Sequence, residues 1–236
     1  MIAKSVAAGD GWVWIRGGYD IFRQNPVIWI ALFLIYLLIG MALSLINGIG
    51  PIILNLLAPV FMAGFMLGCQ ALESGEELEI NHLFAGFKHN TSQLITVGGI
   101  YLAGVIVIVG LVFVTAGGPM LAMTENAPPA MSEAAGPGVL FAASAALLLL
   151  FPLIMAYWFA PILVVFHNIK PLDAMKLSFS ACLKNLWPFT VYGVISMVLL
   201  VLAAIPLGLG LLVMIPTMTA SLYVSYRDIF SEDIVA

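Results

Sequence analysis

Charged side chains are scarce in this sequence. Asp, Glu, Lys and Arg together make up 8% of the 236 residues, while 63% are hydrophobic, whereas a soluble domain has roughly 25% charged residues. This composition excludes an ordinary soluble globular protein. The eight Lys and Arg are scattered and form no basic patch interleaved with aromatic residues, which excludes a nucleic-acid-binding surface. The composition indicates an integral membrane protein.

Cysteine and catalytic motifs are also nearly absent. Cys69 and Cys182 have no CxxC or metal-ligand neighbour, so we predict two small apolar packing residues. The sequence contains no GxSxG, HExxH or Walker pattern. We therefore expect no catalytic residue, no cofactor and no metal. About 25 residues precede the first apolar run, and that run is too long for the core of a cleaved signal peptide.

Long apolar runs predict six membrane-spanning helices. They cover residues 27–46, 52–72, 91–116, a stretch within 139–166, 188–205 and 207–226. The fourth run is longer than one crossing needs and contains two prolines, so we expect it to tilt or kink. Residues 117–138 are rich in Gly, Pro and Ala, and we predict an irregular loop on the outer face. The predicted fold is all-α.

Three shorter segments carry apolar residues on one helical side and polar residues on the other. The apolar sets are Trp14, Ile15, Gly18, Tyr19, Ile21 and Phe22 in the first segment, Ile80, Leu83, Phe84 and Phe87 in the second, and Met175, Phe179, Cys182, Leu183 and Leu186 in the third. Each segment directly precedes a pair of spans. We predict three amphipathic helices whose apolar sides lie in the headgroup region on the cytoplasmic side.

The bases indicate how the chain is oriented. All eight lie before the first span, between spans two and three, between spans four and five, or after the sixth. The positive-inside rule then places both termini in the cytoplasm, in the inner membrane of a bacterium. Five bases are candidates for contact with anionic lipid phosphates, at about 1 kcal/mol each: Arg16, Arg23, Lys88, Lys176 and Lys184. The same bases set the topology, so the two arguments are not independent.

The segments also indicate an internal repeat. They end in Phe22-Arg23-Gln24-Asn25, Phe87-Lys88-His89-Asn90 and Leu183-Lys184-Asn185. In each case two spans follow, and the second contains a proline: Pro59, Pro161 and Pro216. We predict one membrane domain, residues 1–236, made of units 10–72, 79–167 and 170–228 that are related by an approximate threefold axis along the membrane normal.

One motif resembles a known family. The pattern GxxWIxxGxxxFxxNP at residues 11–26, with the stretch 57–90, resembles an uncharacterised family of bacterial six-span inner-membrane proteins. The repeat is more distantly similar to the membrane domain that some bacteria fuse to glycerophosphodiester phosphodiesterases, although this chain has no room for their catalytic domain. The first resemblance implies a six-span membrane fold and no established activity.

Few residues suggest a function. No ionisable residue lies near the middle of a span, which argues against an ion or proton path, and Glu73 and His167 at span ends can reach water. We interpret His82 and His89 as solvated polar residues and the acidic run 73–79 as a solvated turn. Gly64 and Gly68 form a GxxxG pattern, which we expect to serve contact inside the monomer rather than dimerisation.

Three functional hypotheses follow. We favour a non-enzymatic protein that stabilises or organises the membrane or a partner protein. The alternative is a small-molecule or lipid transporter or channel, in which carbonyls freed by Pro59, Pro161 and Pro216 line a cavity; otherwise these prolines are kinks that help tilted helices pack. A membrane-embedded lipid-modifying enzyme is the third hypothesis.

Overall fold

The computed structural model describes the backbone of residues 1–122 and 129–230, and the side chains of residues 1–115 and 137–230. Within these ranges the chain forms nine α-helices, one 3₁₀ helix and no strand. The helices are α1 (Asp10–Phe22), α2 (Pro26–Ser44), α3 (Gly50–Glu73), the 3₁₀ helix η1 (Ile80–Phe87), α4 (Thr91–Ala122), α5 (Pro129–Trp158), α6 (Ala160–His167), α7 (Pro171–Lys184), α8 (Leu186–Ala204) and α9 (Leu211–Phe230). The all-α prediction is confirmed for the described residues.

Five segments are long and apolar enough to cross a bilayer. They are Pro26–Ser44, Gly50–Glu73, Thr91–Thr115, Pro137–His167 and Leu186–Ala204, which match the first five predicted spans. The sixth predicted span corresponds to α9, which has 20 residues. This helix is less apolar because it contains several Ser, Thr and Tyr residues as well as Arg227 and Asp228. A sixth crossing stays a prediction.

The repeated asparagine marks the start of a span in all three cases. The backbone carbonyls of Asn25, Asn90 and Asn185 accept the first-turn N–H groups of Trp29, Leu94 and Phe189 at 3.0–3.1 Å. These carbonyls therefore occupy the position of a helix N-cap. The predicted starts of these spans, at residues 27, 91 and 188, lie within two residues of the observed starts of α2, α4 and α8.

The fourth predicted span is two helices. α5 ends at Trp158 and α6 begins at Ala160, with Phe159 between them. Pro161 lies in the first turn of α6, where its missing N–H costs no helical hydrogen bond. The predicted kink is therefore a break in the helix at Phe159.

The prediction of an irregular loop over residues 117–138 is wrong at both ends. α4 continues to Ala122 and α5 begins at Pro129, while residues 123–128 lie outside the described chain. Alanine has the highest helix propensity, and this stretch contains many alanines. Its glycines and prolines do not prevent the neighbouring helices from extending.

An aromatic cluster joins the three predicted units. The Trp14 ring lies 5.1 Å from the Phe189 ring between centroids, and the Phe159 ring lies 5.9 Å from the same Phe189 ring. Trp14 and Phe159 are completely buried. In contrast, Val107 and Leu148 are 70% and 76% exposed, as expected for residues that face lipid tails.

Candidate functional site

The helix α1 packs in a groove between α8 and α9. Its buried residues are Gly11, Trp14, Ile15, Gly18 and Phe22. A Cβ added at Gly18 would lie 2.5 Å from the Thr217 carbonyl oxygen and 2.6 Å from the Ser221 amide nitrogen. The two helix backbones are therefore in direct contact, which only a glycine permits.

The predicted environment of α1 needs correction. Its apolar side was expected to face headgroups, but Trp14 is fully buried against protein. Tyr19, predicted on the same side, is 48% exposed. Hydrophobic periodicity identifies an apolar stripe but does not say whether lipid or another helix covers it.

The 3₁₀ helix η1 packs on α3 through direct backbone contact, as α1 packs on α9. A Cβ added at Gly64 would lie 2.5 Å from the Leu83 carbonyl oxygen, and a Cβ added at Gly86 would likewise overlap the Val60 carbonyl oxygen. The GxxxG pattern thus serves a contact within the chain, as predicted. Of the apolar set predicted to face the headgroup region, Ile80, Phe84 and Phe87 are each about 40% exposed. Leu83 is instead fully buried against protein, which corrects that part of the prediction.

The helix α7 packs on α5 and α6 at the point where they separate. Ser178, which is fully buried, accepts the Phe159 N–H at 2.9 Å and donates to the Met155 carbonyl at 2.7 Å. One hydroxyl therefore satisfies backbone groups on both sides of the helix break. Of the apolar side predicted to face the headgroup region, Leu183 and Leu186 are exposed. Met175 and Cys182 are instead buried against protein, together with Ala174, Ser178 and Ala181, which corrects that part of the prediction.

These three contacts follow one rule. Each short helix packs on the proline-bearing helix of the preceding predicted unit: α1 on α9, η1 on α3, and α7 on α5 and α6. The order closes on itself, since the first unit packs on the third. The carbonyls that Gly86 and Gly18 contact belong to Val60 and Thr217. These two residues directly follow Pro59 and Pro216.

The three kink prolines are buried. Pro59 has no N–H for the Asn55 carbonyl, and a Cβ added at Gly98 of α4 would lie 3.0 Å from that oxygen. α4 therefore packs on the freed carbonyl. Two apolar clefts of about 570 and 480 Å³ open elsewhere on the described chain, and Pro59, Pro161 and Pro216 line neither of them.

A polar cluster joins the ends of α3, α6 and α9. Glu73 forms an ion pair with Arg227 and accepts a hydrogen bond from the Tyr223 hydroxyl at 2.7 Å. His167 shares a 2.5 Å hydrogen bond with the Tyr226 hydroxyl. Glu73 and His167 were expected to reach water at span ends, and the tyrosines of α9 that bind them were missed because they are distant in sequence.

Asn185 holds the N-terminal segment in place. This fully buried side chain accepts the Val6 N–H at 2.9 Å and donates to the carbonyls of Lys4 and Ala181, each at 2.9 Å. The Lys4 N–H donates in turn to the Ile229 carbonyl at 3.0 Å. Residues before α1 therefore connect α7 with the end of α9, a contact that no local sequence signal indicates.

All five bases predicted to contact phosphates are exposed. Arg23 pairs with Asp20 at 3.1 Å, and the Lys184 ammonium donates to the Ala3 carbonyl at 3.2 Å. Arg16, Lys88 and Lys176 form no ion pair within the described part of the chain. These three are the bases most available to an external anion.

The environments of Cys69, Cys182 and His82 indicate structural roles. Cys69 and Cys182 are both free and buried, and burial raises the pKa of the Cys182 thiol to about 12, so this thiol stays protonated. The Nδ1 atom of His82 accepts the Glu79 N–H at 3.0 Å in a capping box at the start of η1. Among the described residues no group of three His, Cys, Asp or Glu side chains is placed to hold a metal ion.

Comparison with known proteins gives one informative match. The chain is 35% identical, over an alignment of 243 positions, to a probable inner membrane protein of Burkholderia thailandensis, and the alignment covers 94% of this chain and 89% of the relative. No family model and no solved structure matches the chain. The similarity to the membrane domain of glycerophosphodiester phosphodiesterases stays a prediction.

Proposed function

Since the chain belongs to the family of this probable inner membrane protein, we propose that it is a non-enzymatic protein that organises the inner membrane or a partner within it. The observation that carries the proposal is the closed order of packing, in which each short helix is fixed on the proline-bearing helix of the preceding unit. A closed ring of backbone contacts favours a rigid body over one that must change shape.

We further propose six crossings with both termini in the cytoplasm and three units, 10–72, 79–167 and 170–228, related by an approximate threefold axis. The equivalent capping positions of Asn25, Asn90 and Asn185 support the repeat. Within this arrangement Arg16, Arg23, Lys88, Lys176 and Lys184 lie near the inner headgroups, where anionic lipids attract bases.

The transporter alternative requires the kinked helices to move against their neighbours. Backbone contacts at Gly18 and Gly86, and the bonds of Ser178 across the helix break, oppose such motion. Interfaces packed this closely deform little without a second stable arrangement. This geometry favours the organising role.

We expect no solute flux that depends on the prolines. Wild type and the Pro59→Ala and Pro216→Ala variants, reconstituted in vesicles, should pass a panel of ions and small neutral solutes no faster than protein-free vesicles. Circular dichroism would verify that the variants keep their helices. Transport by wild type that changes in the proline variants would contradict the organising role and support the cavity hypothesis.

The exposed side of α1 is the surface on which we expect a recurrent partner. A photoreactive residue at Val13, which is 54% exposed, should capture the same protein or lipid species repeatedly in native membranes. The control is the same residue at Phe113 of α4, which is 78% exposed and predicted to face lipid tails. Identical adducts of bulk lipid from both positions would argue against the organising role.

A further inference from the structure

Three residues on the exposed side of α1 form a pattern typical of the headgroup region. Trp12, Arg16 and Tyr19 recur at helical spacing, and Trp12 and Tyr19 are each 48% exposed. Trp and Tyr favour the level of the lipid headgroups. Arg16 lies between them and, within the described chain, forms no ion pair.

The same three residues form one end of an apolar cleft. The cleft has a volume of about 570 Å³ and continues between α8 and α9 past Leu199, Ala203, Val213 and Met214. Thr217 also lines it, but its hydroxyl already donates to the Val213 carbonyl at 2.8 Å. The walls are therefore apolar, and the guanidinium of Arg16 is the charged group at the rim.

The size and chemistry of the cleft limit what can occupy it. Water is a poor occupant, because apolar cavities stay dry. A protein helix about 10 Å wide occupies roughly 800 Å³ over two turns, so the cleft of about 570 Å³ could take one face of such a helix but not its whole width. The volume lies within the range of about 300–1,000 Å³ that small-molecule sites have. An extended hydrocarbon chain is the remaining occupant that a bilayer supplies.

Arg16 adds a requirement for negative charge. A guanidinium binds a phosphate through two parallel hydrogen bonds, and an exposed arginine at headgroup level is attracted to anionic lipids. An apolar cleft with a single cation at its rim is complementary to an anionic amphiphile. A zwitterionic phospholipid also carries a phosphate, but its ammonium group offsets that charge, so it would pair less favourably with the guanidinium.

We infer that this cleft binds one anionic phospholipid, with its phosphate on Arg16 and one acyl chain between α8 and α9. The inference goes beyond the proposed organising role, because it assigns a ligand, a charge and a set of contact residues. It does not depend on the identity of any protein partner.

Photolabelling tests this site. The full-length protein is reconstituted in phosphatidylcholine vesicles that contain a small fraction of phosphatidylglycerol with a diazirine in its acyl chain. We expect adducts on the α8 and α9 residues of the cleft. Arg16→Gln should lower this labelling about fivefold, the ratio that about 1 kcal/mol per surface cation gives. Lys170→Gln, which removes an exposed base at the start of α7, should leave it unchanged.

A second pair of variants tests the acyl-chain part of the cleft. Leu199→Trp should fill the cleft and reduce the adducts while Arg16 is intact, whereas Val198→Trp, at a neighbouring position that is 52% exposed, should not. Excess inorganic phosphate should not displace the lipid, because phosphate lacks the chain. Equal labelling by a phosphatidylcholine probe, displacement by phosphate, or unchanged labelling in both Arg16→Gln and Leu199→Trp would overturn the inference.

Discussion

Replacing Gly18 by valine should separate α1 from α9 and lower the free energy of unfolding by about 3 kcal/mol, at the upper end of the usual cost of overpacking. The added Cβ would overlap the Thr217 carbonyl oxygen and the Ser221 amide nitrogen. Both are backbone atoms inside a helix, so neither can move aside as a flexible side chain can. The measurement is unfolding of the purified protein in mixed micelles, followed by tryptophan fluorescence.

Gly110→Val is the matched control for this substitution. Gly110 also lies inside a helix, but no atom lies within 4 Å of an added Cβ. Its substitution should change the free energy of unfolding by less than about 1 kcal/mol, because propensity differences within helices are of that size. Equal destabilisation by both variants would show that the contact between α1 and α9 does not contribute to stability.

Replacing Asn185 by leucine should release the N-terminal segment and cost about 3 kcal/mol. The side chain is fully buried and forms three hydrogen bonds. Its removal leaves the Val6 N–H and the Lys4 carbonyl without their partner, and each such group costs about 1–3 kcal/mol when buried. Limited proteolysis should then cleave within residues 1–9 much faster than in wild type.

Two further variants separate this effect from a general loss of helix capping. Asn185→Asp keeps the acceptor for Val6 but loses both donated bonds, so its cost should be intermediate. Asn25→Leu changes the corresponding position of the first predicted unit, where the asparagine side chain forms no capping bond, and should cost less. Protection of residues 1–9 in Asn185→Leu that equals wild type would contradict this role.

The local features of the fold were predictable because they depend on neighbouring residues. The apolar stripe of α1 was found from its 3.6-residue period. The buried residues of α1 all belong to that stripe or to the sequence motif that begins at Gly11: Gly11, Trp14, Ile15, Gly18 and Phe22. The starts of α2, α4 and α8 were predicted to within two residues from the starts of the apolar runs. Five predicted spans correspond to helices of suitable length and composition.

The contacts between distant segments were not predictable from one sequence. Nothing near Glu73 indicates Tyr223, 150 residues later, and nothing near Lys4 indicates Asn185. In a membrane protein, lipid-facing and core-facing residues are equally apolar. Periodicity alone therefore assigned Met175 and Cys182 of α7 to the headgroup region, whereas both are buried against protein.

The orientation of α9 tests the repeat most directly, since it determines whether the third unit crosses the membrane twice like the others. Single cysteines would be introduced in a background with Cys69 and Cys182, both buried, replaced by alanine. An impermeant maleimide would then label intact cells or inverted vesicles. We expect labelling from the outer side for Asn47→Cys, Leu207→Cys and Glu125→Cys, the last of which lies outside the described residues. We expect labelling from the inner side for Lys88→Cys and Arg227→Cys. Labelling of Leu207→Cys and Arg227→Cys from the same side, or of Glu125→Cys and Lys88→Cys from the same side, would contradict the account.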